Sequence, residues 1–289
     1  MSQLITPELR AWIVEQARAG CTPESVLQAM KASGWQEDVA IQAMEDTLRA
    51  SVSSLQPEAP SSEQGASQAL SAKALPDIRD EGRPYVDAGD REVAVLMQAR
   101  RPRVVVLGGL LSPQECRQLM EQARPRLARS ETVRDSDGGS EVHSARTSQG
   151  MFFERGASAL IATIEARVAR LLHWPVDHGE GLQILRYEPG NEYKPHYDFF
   201  DPSQPGSAAV LKRGGQRVGT LVIYLNTPTN GGATTFPDAG LEVAPIQGNA
   251  VFFNYDRPDR STLTLHAGAP VHEGEKWVAT KWLREGVFV

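Results

Sequence analysis

Cysteine is nearly absent. Cys21 and Cys116 stand far apart with no CxxC spacing, which excludes a disulfide framework and a cysteine-rich zinc site. Basic residues are outnumbered, with 30 Lys and Arg against 36 Asp and Glu, a formal net charge of −6. Net charge therefore does not drive binding to phosphate backbones, and no nucleic-acid partner is expected. No apolar run approaches the ~20 residues that span a bilayer. The opening Met1-Ser-Gln-Leu-Ile-Thr-Pro-Glu8 also lacks the basic and apolar regions of a signal peptide. A cytoplasmic location without a membrane partner is the expectation. What is present, 40% hydrophobic and 23% charged residues in 289, suits a globular protein with one large domain and something small beside it.

From Thr6 to about residue 50 apolar residues recur at helical spacing: Leu9, Ile13 and Ala17, then Val26 and Met30, then Val39, Ile41, Met44 and Leu48. Thr6-Pro7-Glu8 and Thr22-Pro23-Glu24 place a cap residue before a proline, and Gly20 and Gly34 stand where helices should stop, so residues 1–50 read as three short helices. Residues 51–75 are rich in Ser, Pro, Gln and Ala and read as a flexible linker. Residues 76–289 change to short β-like runs, clearest at Arg103–Leu107, Leu182–Tyr187, Arg217–Leu225 and Ala250–Asn254. Helices interrupt them at Ser112 to about Leu127, opened by a Ser-Pro-Gln-Glu cap signal, and at about Ala157 to Leu172. The order predicts a mostly β fold backed by helices, an antiparallel barrel or sandwich rather than an alternating βαβ sheet.

The chemistry concentrates in Tyr193-Lys194-Pro195-His196-Tyr197-Asp198. On a strand, side chains alternate, so His196 and Asp198 point one way and Tyr197 the other. A neutral nitrogen beside an anionic oxygen suits iron, manganese or zinc. His266 closes the β-like run Thr262-Leu-Thr-Leu-His266 and supplies a third ligand. Two histidines and a carboxylate on one side of a metal leave positions for a bidentate cosubstrate and dioxygen, the logic of non-haem iron(II) oxygenases. Lys276 begins a strand after the turn at Glu273-Gly274 and can fix the far end of a dicarboxylic cosubstrate. Alternation places Lys276, Val278, Thr280 and Trp282 on one face and Trp277 and Lys281 on the other.

These residues resemble a family. Leu182-Gln-Ile-Leu-Arg-Tyr-Glu-Pro-Gly-Asn-Glu-Tyr-Lys-Pro-His-Tyr-Asp-Phe-Phe200 resembles the heart of the catalytic domain of the prolyl 4-hydroxylase alpha subunit, in the 2-oxoglutarate and iron(II) dioxygenase superfamily. Leu111-Ser-Pro-Gln-Glu-Cys116, Ala123-Arg-Pro-Arg-Leu127, Gly214 to Leu225 and His266 to Trp282 resemble further blocks in the same order, so the resemblance covers about residues 100–287. It implies a double-stranded β-helix, Fe(II) held by His196, Asp198 and His266, and 2-oxoglutarate held at its distal carboxylate by Lys276. Tyr187 and Thr220 match positions that assist that carboxylate, and Tyr193 and Trp282 match positions near substrate or cosubstrate. The implied reaction consumes O2 and converts 2-oxoglutarate to succinate and carbon dioxide while hydroxylating a prolyl residue of a peptide or protein. Ascorbate would restore oxidised iron.

There are departures from the pattern. Gly231-Gly232-Ala233-Thr234 carries alanine where the family often has glutamate, and residues 202–213 form a loop suited to covering a substrate. No peptide-binding segment or retention signal of a collagen-modifying enzyme is visible, so collagen is not the expected target. Asp198 occupies the position a halogenase leaves vacant. A hydroxylase of a free amino acid or other small molecule is the alternative, because the iron site is indifferent to what enters above it. A non-catalytic scaffold with a retained barrel is a second alternative. The first fifty residues, with Met30-Lys-Ala-Ser-Gly-Trp35 and Ala40-Ile-Gln-Ala-Met44, resemble a ubiquitin-associated unit and imply a protein partner for the N-terminal helices.

Overall fold

The computed structural model describes residues 5–18, 22–53, 74–130, 132–133, 140–141 and 147–289. Two compact units divide the chain, Met1–Leu70 and Ser71–Val289. The smaller contains α1 (Pro7–Arg18), α2 (Pro23–Ala32) and α3 (Glu37–Ser53). Thr22 caps α2 by accepting from the Ser25 amide at 3.3 Å, with Pro23 in the first turn where its missing N–H is no loss. Ile13, Val26, Met30, Ala40, Ala43 and Met44 form its core. The helix α3 runs three residues into the stretch read as a linker, and most of that stretch lies outside the described residues, as does Cys21.

The larger unit is built on a nine-stranded antiparallel sheet. In spatial order its strands are Tyr85–Asp87, Glu92–Arg100, Arg103–Gly108, Ala250–Asn254, Arg217–Tyr224, Lys276–Arg284, Leu182–Tyr187, Gln149–Phe153 and Ala128–Arg129. A four-stranded sheet, ordered Leu241–Val243, Thr234–Phe236, His266–Gly268 and Tyr193–His196, supplies the second layer of the double-stranded β-helix. Every residue of Lys276–Arg284 is buried, as a central strand covered on both faces requires.

Side-chain alternation sorts the two faces. Leu182, Ile184, Leu221, Ile223, Trp277 and Ala279 point outward into a core shared with α4 (Pro113–Ala123) and α5 (Ala159–Leu172). Leu185, Tyr187, Tyr224, Phe253 and Val278 point inward and meet Phe236 and Val243 of the smaller sheet. The expected helix after Ser112 forms with a full capping box, Ser112 Oγ accepting from the Glu115 amide at 3.2 Å and Glu115 Oε2 accepting from the Ser112 amide at 2.7 Å. It ends at Ala123 and passes into a short 3-10 turn, Arg124–Arg126, at Pro125. On the outward face Lys281 and Glu165 of α5, each buried, pair at 2.5 Å.

Two local expectations change. The first-ligand strand stops at His196, so Asp198 lies on the bend after it. Gln216 is the reason: its amide accepts from the Phe200 N–H at 2.8 Å and donates to the Phe200 carbonyl at 2.7 Å, drawing the chain off the sheet. The His266 run is also not a continuous strand, because Arg260–Thr262 is a 3-10 turn and Leu263 has a φ of 57°. His266 opens its strand rather than closing one. The segment 202–213 contains a short helix, Ser207–Leu211, tied down by Arg284 to the Val210 carbonyl and by Arg213 to the Val289 carbonyl. Among the described residues no helix is long and apolar enough to cross a membrane.

Candidate metal centre and active site

His196, Asp198 and His266 converge between the two sheets, each offering one donor atom, with those atoms all within 4.8 Å of one another. His196 and His266 are register partners on adjacent strands, and their rings lie 4.2 Å apart. Asp198 reaches them from the bend, with Oδ1 at 3.6 Å from His196 Nε2 and Oδ2 at 3.4 Å from His266 Nε2. The two imidazoles are oriented alike. His196 Nδ1 lies 2.8 Å from the Lys194 carbonyl and His266 Nδ1 lies 3.0 Å from the Thr264 carbonyl. A carbonyl only accepts, so each Nδ1 carries the proton and each Nε2 turns a lone pair toward the centre.

For His266 the electrostatics favour the same neutral state. Burial, then the neighbouring His196, lowers the His266 pKa to about 4, which keeps that ring neutral. Burial opposes charge on Asp198, but His266, His196 and Arg217 outweigh it and hold the carboxyl well below its ordinary range. Two imidazoles turning Nε2 to the centre and one carboxylate are the donor set of a first-row divalent ion, so these residues fit Fe(II).

Lys276 is the register partner of Tyr187, and its ammonium lies 5.5 Å from the Tyr187 ring and 5.9 Å from the Tyr224 ring. It is buried, and burial pushes its pKa down to about 7. No carboxylate pairs with it among the described residues, so a bound anion would supply what is missing. Gly232, at a φ of +75°, lets the chain pass close by: a Cβ there would lie 3.0 Å from Lys276 Cδ. Gly268, two residues past His266, lies close to the charge itself, with an added Cβ 3.8 Å from Nζ.

Residues 182–284 match the family described as the 2OG-Fe(II) oxygenase superfamily. Prolyl 4-hydroxylase 5 of Arabidopsis thaliana is 38% identical over 221 residues, which cover 69% of this chain and 74% of that one. This chain belongs to the prolyl 4-hydroxylase family. Prolyl 4-hydroxylase 1 of the same plant is 40% identical over 201 residues, 64% of this chain and 69% of that protein. Among solved structures, the viral collagen prolyl hydroxylase of Paramecium Bursaria Chlorella virus-1, in its 2-oxoglutarate complex, is 30% identical, with a TM-score of 0.47 over 63% of this chain and 95% of that one. Membership makes the protein a dioxygenase that uses Fe(II), 2-oxoglutarate and O2.

The remaining sequence candidates distribute unevenly in this family member. Tyr187 stands beside Lys276, and Tyr193 stacks on His196 with ring centroids 3.6 Å apart. Thr220 stands at Asp198 rather than at Lys276, its hydroxyl donating to Asp198 Oδ2 at 2.7 Å. Trp282 is the register partner of Thr220, with the Arg217 guanidinium 4.0 Å from its ring centroid and the Phe152 ring tilted beside it, 6.5 Å between centroids. Sequence reasoning missed Arg217, which donates to the Asp198 carbonyl and pairs with Glu180 at 2.7 Å. It also missed Tyr255, and Tyr224 with its 2.8 Å bond to Thr234. Arg217 and Glu180 look like ordinary strand-end charges; only the burial of Glu180 and the half-burial of Arg217 mark them.

Proposed function

We propose that this protein hydroxylates prolyl residues in a peptide or protein, using 2-oxoglutarate and O2 and releasing succinate and carbon dioxide. The observation that carries the reading is a buried lysine with no carboxylate partner among the described residues, on the same inner face as a His-Asp-His donor set. In this reading His196, Asp198 and His266 hold the iron, each histidine through Nε2. When bound, iron(II) with 2-oxoglutarate supplies the power to activate O2. Lys276 and Tyr187 take the distal carboxylate and so fix the keto acid's orientation, because one buried charge-assisted contact sets where the other end reaches. Leu185 and Val278 pack in the same buried apolar cluster as Tyr187, which strengthens that contact by excluding water.

In this reading Tyr193, stacked on His196, and Trp282 lie toward the prolyl segment. The support for a peptide is the prolyl 4-hydroxylase family itself together with exposed aromatic surface at Phe152, beside Trp282. Ascorbate serves as the reductant for turnovers without substrate, and the N-terminal helices recruit a protein partner.

The test is succinate formation with Fe(II), 2-oxoglutarate and ascorbate, with and without proline-rich peptides or free proline, and with His196→Ala as control. Peptide-stimulated succinate matched by one added oxygen on proline is expected. Stimulation by free proline alone would replace the peptide with a small molecule. No succinate from a protein shown to bind iron would leave the scaffold reading.

A further inference from the structure

Thr220 is fully buried and donates to Asp198 Oδ2 at 2.7 Å. Its oxygen also lies 3.0 Å from the Tyr255 hydroxyl, itself buried. The direction of this chain follows from counting protons. An ionised carboxylate only accepts, so the single Thr220 proton is committed to Asp198, and Tyr255 must donate to Thr220. Tyr255 keeps its proton: burial and then the Asp198 charge push its pKa well above the ordinary phenol value.

Both hydroxyls are held by the sheet. Thr220 pairs in register with Phe253, and the Tyr255 amide donates to the Val218 carbonyl at 3.1 Å. The Tyr255 ring packs edge-on to Phe199, 5.9 Å between centroids, against the residue that follows Asp198. Asp198 itself lies on a bend, where no strand ladder sets its carboxylate. Valine and phenylalanine would fill the same space without buried polar atoms, so packing alone does not call for these hydroxyls.

We infer that Tyr255 and Thr220 are positioning residues, a two-hydroxyl relay that fixes the rotation of the Asp198 carboxylate for the metal. The inference rests on the metal site proposed above. A relay makes Tyr255 act through Thr220, because its hydroxyl polarises and orients the threonine and does not itself reach Asp198.

Mn(II) titration of the metal-free full-length protein, followed by electron paramagnetic resonance, separates the two readings without turnover. If the unaltered protein binds no Mn(II) better than Asp198→Ala does, the metal site itself fails. With that binding in hand, Thr220→Val is expected to weaken Mn(II) affinity about 10- to 100-fold. Thr220→Ser is expected to restore it to within about threefold, since the hydroxyl is what matters. Tyr255→Phe is expected to weaken it about two- to tenfold, and the double variant to be no weaker than Thr220→Val, because the two act in series. Affinity within twofold of the unaltered protein in a folded Thr220→Val, no rescue by serine, or additive losses in the double variant would each overturn the relay. Should Thr220→Val fail to fold, Tyr255→Phe decides alone, and unchanged affinity there overturns it.

Discussion

His196 and His266 are seventy positions apart in sequence and face each other as register partners, with ring centroids 4.2 Å apart. Their pairing makes one strand ladder serve as the frame of the proposed metal site. Each ring is fixed by a bond from Nδ1 to the carbonyl two residues before it, so both Nε2 atoms are presented by backbone geometry.

Removing a donor should therefore empty the site without unfolding the protein. His196→Ala and Asp198→Ala are each expected to lower Fe(II) or Mn(II) affinity at least about 10-fold and to abolish 2-oxoglutarate consumption, with a thermal midpoint near that of the unaltered protein. Metal titration with calorimetry checks both halves. A variant that retains metal-dependent succinate formation would remove that residue from the ligand set.

In its proposed role as the anchor of the distal carboxylate, Lys276 makes 2-oxoglutarate binding depend on pH. Its pKa, pushed down to about 7 by burial, leaves it charged below that pH and neutral above. The KM for 2-oxoglutarate should be flat below pH 7 and climb above it, approaching tenfold per unit. The check is a KM profile from pH 6 to pH 9 at saturating peptide.

The same lysine bears on stability with a definite sign. Between its folded pKa of about 7 and its unfolded 10.5 the native state holds fewer protons than the unfolded state, so Lys276 favours folding increasingly as pH rises through that window. Lys276→Met should abolish 2-oxoglutarate binding yet stabilise the fold at pH 6 by about 1–3 kcal/mol, because the charged form no longer has to be buried. Denaturant unfolding of the two proteins at pH 6 and pH 9 measures the difference, which should shrink at the higher pH.

Glu165 and Lys281 join α5 to the outward face of the central strand, both buried and 2.5 Å apart. Glu165→Ala leaves an unpaired buried ammonium and should destabilise the larger unit by about 3–5 kcal/mol. Glu165→Leu with Lys281→Met should recover most of that, which thermal unfolding of the single and double variants would reveal.

The N-terminal helices have a core of their own, and the proposed metal ligands and Lys276 all lie in the other unit. A chain beginning at residue 74 is expected to keep its succinate-forming rate within about twofold. Loss of turnover in that shortened protein, still folded by circular dichroism, would make the helices part of the catalytic machinery.

Much of the site was legible because it depends on short-range rules. The HxD pair, the distant histidine and the lysine after a Glu-Gly turn are chemical types at recognisable places, and period-two alternation sorted Lys276 and Trp282 from Trp277 and Lys281. The capping box at Ser112 and Glu115 is equally local, a reciprocal bond within one helical turn. Thr220 shows the limit: a core hydroxyl on a strand has the same local pattern whether it serves Lys276 or Asp198, and only the pairing of its strand with Trp282 puts it at Asp198.

The sequence by itself determined the donor types, the parity of the strands that carry them and the family, because these follow from side-chain chemistry and from spacing within single segments. The tertiary structure decided which residues meet. It set His266 opposite His196, bent Asp198 off its strand through the Gln216 clamp, brought Thr220, backed by Tyr255, to the Asp198 carboxylate, and brought Arg217, paired with Glu180, to the Asp198 backbone carbonyl. Register between strands and burial of charge are properties of segments far apart in the chain, and no local period encodes them.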